Sequence, residues 1–98
     1  MADENRNEYE GRLEAEVDKM DARIEELKAK MKKADADVRI KYQQELNDIE
    51  EKRTIMKMRI QKLKNASGEA WQEISTGLEK AAKDLSDAIS NAYNKLKT

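Results

Sequence analysis

Apolar residues in the first third of the chain recur at alternating intervals of four and three positions, and charged residues fill almost all of the positions between them. The six members of this first stripe are Leu13, Val17, Met20, Ile24, Leu27 and Met31. A heptad pattern of this kind predicts an α-helix that buries one narrow face against another helix. The same phase continues to Val38.

A second stripe follows, and its phase is displaced by one residue from that of the first. Its members are Tyr42, Leu46, Ile49, Met56, Ile60 and Leu63. Two structures accommodate the displacement: an unbroken helix over 9–64 with a local change of supercoil, or a tight turn at 33–37. The turn would divide the chain into three similar helices, near 9–33, 36–64 and 69–97.

The composition of residues 33–37 favours the unbroken helix. The segment has no Gly, Pro, Asn or Ser, and it contains two alanines, which favour helix. We therefore expect one helix of roughly 80 Å, at about 1.5 Å per residue, with a three-helix bundle as the alternative. Residues 1–8 are polar and are expected to form a flexible N-terminus.

A clear break is expected at 65–68, where Asn, Ala, Ser and Gly follow one another. Beyond it, apolar positions in 69–97 repeat every eleven residues, or about 3.67 residues per turn, which keeps the apolar face nearly straight. This pattern predicts a shorter amphipathic helix that folds back against 36–64. Its apolar face consists of Trp71, Ile74, Leu78, Leu85, Ile89, Tyr93 and Leu96. The predicted fold is all-α: a long coiled-coil helix and an amphipathic helix in antiparallel packing.

The charges beside the stripes disfavour a parallel, in-register dimer, in which Glu45 would face Glu50 of the other chain. Antiparallel pairing instead places Glu45 opposite Arg59 and Glu50 opposite Lys57. All such changes together amount to roughly 1–3 kcal/mol. Because a helix with an uncovered stripe is marginal in water, we expect an antiparallel homo-oligomer whose seam is formed by the two stripes and Val38.

Composition narrows the class of protein. Of the 98 residues, 42% are charged and 38% are hydrophobic, so we expect one helical domain with a narrow core. Twenty basic and twenty-one acidic residues nearly cancel, which argues against a nucleic-acid partner. No apolar run resembles a secretion signal or a membrane span, and a cytoplasmic location is therefore expected.

Residues suited to catalysis or metal binding are scarce. The chain has no His and no Cys, and its acids lie beside the apolar stripes, where water solvates them. We therefore predict no catalytic residues, no metal site and no cofactor, and we do not expect an enzyme.

Four residues do not fit the stripes. Ile40, Ile55 and Met58 lie off them, and these side chains are either exposed or part of a second contact face. Arg53 falls on the second stripe, where it either extends into solvent or pairs with an acid of a neighbouring helix.

A membrane surface is a weaker candidate partner for 69–97. Trp71 and Tyr93, near the two ends of this segment, either pack on the long helix or anchor the segment in a bilayer interface. The segment carries four lysines and five acids, so anionic lipid would gain little from it.

Three segments carry a resemblance to known proteins: YEGRLEAEVDKMDARIEELKAK, ADADVRIKYQQELNDIEEKR and LKNASGEAWQEISTGLEKAAKDL. Together they resemble a group of small bacterial coiled-coil proteins, some described as stress-responsive. The resemblance covers roughly 9–90 and is most specific at the run ASGEAW, while Met20 stands where such proteins often carry Trp. It implies an intracellular helical protein without a defined biochemical activity, and it supplies no catalytic residues.

These observations predict a non-enzymatic helical interaction or scaffold protein that self-associates or binds a partner helix. The resemblance implies a connection with stress. The alternatives are a peripheral membrane-binding protein that uses 69–97, and a helical inhibitor or adaptor of a larger enzyme.

Overall fold

Three helices of similar length make up most of the structure, a computed structural model that describes residues 2–96, with side chains from Asn5 onward. Helix α1 covers Ala2–Lys33, α2 covers Ala36–Asn65 and α3 covers Gly68–Leu96. The described residues contain no strand. The all-α class is confirmed, and the architecture is the three-helix alternative, a bundle of 52 × 18 × 16 Å.

The predicted unbroken helix over 9–64 is wrong, because the chain turns at Ala34 and Asp35. Asp35 has φ −64° and ψ 156°, an extended conformation that ends the helical path. The physical reason is long-range burial. Helix propensities differ by less than about 1 kcal/mol per residue, whereas each large apolar side chain gains about 1.5–3 kcal/mol when it is buried. Reversing the chain here buries the whole first stripe.

Helix α1 begins at Ala2, so it includes most of the segment 1–8 that the sequence predicts to be a flexible N-terminus. A contact with a residue that is distant along the chain holds the first part of α1. The Arg6 guanidinium donates a 2.6 Å hydrogen bond to the Ala66 carbonyl, which is orphaned near the end of α2.

The second turn lies within the predicted break at 65–68. Only Ala66 and Ser67 separate the helices, because α2 ends at Asn65 and α3 begins at Gly68. Gly68 has φ +60°, the left-handed conformation that glycine adopts at little cost. Helix α3 is nearly as long as its neighbours, and Lys97, the last residue of the predicted amphipathic segment, lies outside the described residues.

The first two helices run antiparallel, as three ion pairs along their length show. Lys28 Nζ lies 2.8 Å from Glu50 Oε1, Lys57 Nζ lies 2.8 Å from Asp21 Oδ2, and Lys64 Nζ lies 2.8 Å from Glu14 Oε1. The acid–base pairing expected between chains therefore occurs within one chain, with different partners.

Helix α3 returns alongside both other helices. It runs parallel to α1, since Tyr9 contacts Ser75 and Arg23 contacts Ser90, and antiparallel to α2, since Lys95 Nζ lies 3.2 Å from Glu45 Oε1. One apolar core fills the space between the three helices. Its least exposed large side chains are Ile24, Leu27, Ile49, Met56, Leu63, Leu78, Leu85 and Ile89.

The first stripe does not need another chain to cover it. All six of its members are buried, and so are all members of the second stripe except the half-buried Tyr42; Val38 is half-buried as well. The premise that the stripe is left uncovered by its own chain is therefore wrong, because α2 and α3 cover it. The antiparallel homo-oligomer itself stays a prediction.

Candidate functional site

The apolar face predicted for the C-terminal helix is turned into the bundle. Leu78, Leu85 and Ile89 are at most 1% exposed. The other members of that face are half-buried; they are Trp71, Ile74, Tyr93 and Leu96. A bilayer could reach this face only if the bundle opened. None of the described helices is long and apolar enough to cross a membrane.

Trp71 packs on α1, where it forms part of a cluster that we call the Trp71 clasp: Arg6, Tyr9, Glu10, Trp71 and Glu79. The Trp71 indole N–H donates a 3.0 Å hydrogen bond to Glu10 Oε2. Glu10 is only 8% exposed, and Arg6 Nη2 lies 3.8 Å from the same oxygen. The buried carboxylate therefore has both a hydrogen-bond donor and a positive charge beside it.

Tyr9 completes the clasp through contacts with Trp71 and Glu79. Its ring centroid lies 5.4 Å from that of Trp71, and its hydroxyl donates a 2.9 Å hydrogen bond to Glu79 Oε1. Burial, followed by the hydrogen bond to Glu79, raises the pKa of Tyr9 to about 12. Tyr9 is thus a neutral donor at physiological pH and not a base. The clasp fastens α3 to α1, and its donors are satisfied within the cluster and by the Ala66 and Ser75 carbonyls.

Arg53, the charged residue on the second stripe, also pairs within the chain. Its Nη1 lies 3.3 Å from Asp21 Oδ1, so the predicted pairing with an acid of a neighbouring helix occurs. Nearby, the hydrogen bond from Lys28 to Glu50 raises the pKa of the lysine. These charges connect α1 to α2 along the surface.

The outward side of α2 differs from the rest of the surface. Three large apolar side chains are exposed there: Ile40 at 78%, Met58 at 59% and Ile55 at 39%. Ile40 and Met58 are 18 residues apart, about five helical turns, so they point in the same direction. Of the two alternatives left open by the sequence, the structure places all three in solvent.

Four polar residues join the two ends of this face into a line with spacing of four, three, four, three and four. We call this line the outer stripe: Ile40, Gln44, Asn47, Glu51, Thr54 and Met58. All six residues are exposed, and Ile55 lies beside the line. Glu51 is its only charged member, in a chain of which 42% is charged. The spacing and low charge suit a helix that packs lengthwise on α2.

Sequence reasoning identified the apolar residues of this face but missed its polar members. Gln44, Asn47 and Thr54 carry no apolar signal, and only their spacing from Ile40 and Met58 distinguishes them. Gln44 Nε2 donates to Asp48 Oδ1 at 3.0 Å, and Thr54 Oγ1 donates to the Glu50 carbonyl at 3.1 Å. Hydrogen bonds within the helix thus already hold part of the stripe in place.

The described residues also line open grooves, one of which lies at the Trp71 clasp, beside Arg6 and Gly68. Two more lie elsewhere on the bundle. One lies between α1 and α3 and is lined by side chains of both charges, among them Arg12, Glu16 and Lys83. The other lies beside the first turn and is lined by four lysines together with Tyr42. Among the described residues, no cluster of carboxylates is arranged to hold a metal ion.

Comparison with known proteins identifies no relative. No protein-family model matches the chain, and no curated protein or solved structure is significantly similar to it.

Proposed function

We propose that this chain is a non-enzymatic helical interaction protein that binds a helix of a partner protein along the outer stripe of α2. The observation that carries the proposal is the exposure of Ile40 and Met58, at 78% and 59%, at the two ends of one low-charge heptad line. Each would gain roughly 1 kcal/mol or more if a partner covered it. The core faces of all three helices are already occupied.

The charges of the outer stripe favour a partner protein over a second copy of this face. Two copies would bring Glu51 and the exposed Asp48 of each chain to the middle of the contact, in either the parallel or the antiparallel orientation. Like charges in contact disfavour such pairing. A suitable partner helix has apolar residues opposite Ile40 and Met58 and a basic residue opposite Glu51. Asn47, between them, would fix the register.

Two other expectations fit within this proposal. The resemblance to small bacterial coiled-coil proteins, some described as stress-responsive, supports a role in which partner binding matters under stress. If the partner is a larger enzyme, the chain acts as its helical inhibitor or adaptor.

Site-specific photo-cross-linking tests the proposal. A cross-linking residue placed at Ile40 or at Met58 should capture the same protein in cells, whereas the control position Asp87, exposed on α3, should not. A helical segment of the captured protein should then bind the purified chain. The double variant Ile55→Glu, Met58→Glu should weaken that binding at least about tenfold while helix content stays unchanged. Equal capture from Asp87, or unaltered binding by the double variant, would refute the proposal.

A further inference from the structure

The turn between α1 and α2 is held by fewer local interactions than the turn between α2 and α3. Asp35 has a φ of −64°, already the helical value, and only its ψ of 156° departs from helix. Its side chain makes no capping hydrogen bond to α2. Neither Ala34 nor Asp35 is a glycine or a proline. The first turn therefore becomes helix, and α1 and α2 become a single helix over 2–65, through a change of ψ at Asp35 and an adjustment at Ala34.

The other turn departs further from the helical conformation. Gly68 holds a left-handed φ of +60°, and Ala66 is extended at φ −91° and ψ 162°. Ala66 also accepts the Arg6 hydrogen bond of 2.6 Å. The first turn is thus the one that needs the smaller backbone change to become helix.

The core positions of α1 and α2 carry a second, independent signal. Five core positions of α1 are each followed, 36 residues later, by a position of the second stripe, and 36 residues make about ten turns of an α-helix. The pairs are Leu13 and Ile49, Val17 and Arg53, Met20 and Met56, Ile24 and Ile60, and Leu27 and Leu63. In a joined helix, the two core faces would therefore form one straight stripe. The hairpin does not require a spacing of 36 residues, because its turn sets the orientation of each core face separately.

We propose that a second copy of this chain is a binding partner, through exchange of α1. In the exchanged dimer the first turn is helical, and α1 of each copy packs on α2 and α3 of the other. The three ion pairs of 2.8 Å between α1 and α2 form again between the chains, as does the Trp71 clasp. Because the closed contacts are reused, the main costs are association and the opening of α1. This dimer leaves the outer stripe of α2 free, so the proposal is independent of the proposed function.

Two substitutions at the turn test the exchange in opposite directions. Asp35→Ala raises the helix propensity at this position, which occurs twice in the dimer. The dissociation constant of the dimer should therefore fall about tenfold. Ala36→Pro suits the closed form, because Pro is favoured at the first position of a helix and Asp35 before it is already extended. In the joined helix that proline would clash, and the dimer should disappear. The measurement is molar mass after refolding at high protein concentration, with helix content as the check on folding.

A mixing experiment shows whether α1 packs on α2 of the other copy. Asp21→Lys places a lysine beside Arg53 and Lys57 in the closed form, and Lys57→Glu places an acid beside Asp21. In a dimer of one copy of each variant, α1 of each copy packs on α2 of the other. Positions 21 and 57 then carry opposite charges in both contacts, so refolding the mixture should yield at least about twofold more dimer than either variant gives alone. Adding Ala36→Pro to both should remove this dimer. A mixture that yields no more dimer than its components, or a dimer that persists with Ala36→Pro, would overturn the proposal.

Discussion

At the scale of single residues, the bundle depends on polar contacts at its Trp71 end as well as on its apolar core. Glu10 lies where a carboxylate is expensive to bury, and the Trp71 indole and the Arg6 guanidinium compensate for that cost. The Trp71–Glu10 contact could not be predicted from the sequence, because the two residues are 61 positions apart. The Arg6–Glu10 pair is local, with the two residues four positions apart on α1.

The indole–carboxylate hydrogen bond should contribute measurably to stability. Trp71→Phe keeps most of the packing but removes the donor to Glu10, so it should lower the free energy of unfolding by about 1–2 kcal/mol. Adding Glu10→Met, which also removes the acceptor, should recover part of that loss. Urea unfolding followed by circular dichroism measures both. Equal stability of Trp71→Phe and the unchanged chain would contradict the role of this bond.

Tyr9 should make the fold sensitive to alkaline pH. Its folded pKa of about 12 exceeds the unfolded value of about 10, so the neutral hydroxyl is the form that the fold prefers. The associated stability is fully present below pH 10 and is lost as the pH rises from about 10 towards 12. The chain should therefore lose stability over that range, and Tyr9→Phe should lose less. Alkaline unfolding monitored by circular dichroism compares the two, and coincident curves would show that Tyr9 titrates as an exposed tyrosine.

At the scale of the helices, the two turns show what local sequence can and cannot predict. Gly68 identified the second turn because a left-handed residue leaves a signal in the chain itself. The first turn left none, since Ala34 and Asp35 are compatible with helix, and only the burial of distant side chains against α3 makes the chain reverse there. Local propensity is decisive at Gly68 and is overruled at Asp35.

Two glycines of α3 provide a matched test of this distinction. Gly68→Ala should destabilise the bundle by about 1–2 kcal/mol, because alanine is strained at a φ of +60°. A clash does not contribute, since nothing lies within 4 Å of the Cβ position. Gly77→Ala is the control: it also meets nothing within 4 Å, but it lies inside the helix and should stabilise by about 0.5–1 kcal/mol. The urea midpoints should move in opposite directions, and a common direction would contradict the assigned turn.

At the scale of the whole molecule, the apolar pattern predicted which residues are buried but not which helix covers them. Ile24 and Leu27 were expected on an antiparallel seam, and they are fully buried, with α1 and α2 of one chain supplying that seam. Pattern alone cannot distinguish a partner within the chain from a partner in another, because both cover the same face with the same contacts. The outer stripe was only partly predictable, since its middle is polar.

The central claim is that one chain closes its own bundle by turning at Ala34 and Asp35. Small-angle X-ray scattering on a dilute sample, with the mass measured in parallel, tests this most directly. An 11.3 kDa particle should have a radius of gyration close to the 15.7 Å of the Cα trace. An unbroken helix over 2–65 would instead be about 95 Å long, at about 1.5 Å per residue. A radius of gyration well above about 20 Å, approaching the roughly 27 Å of a thin rod of that length, at the same mass would contradict the account.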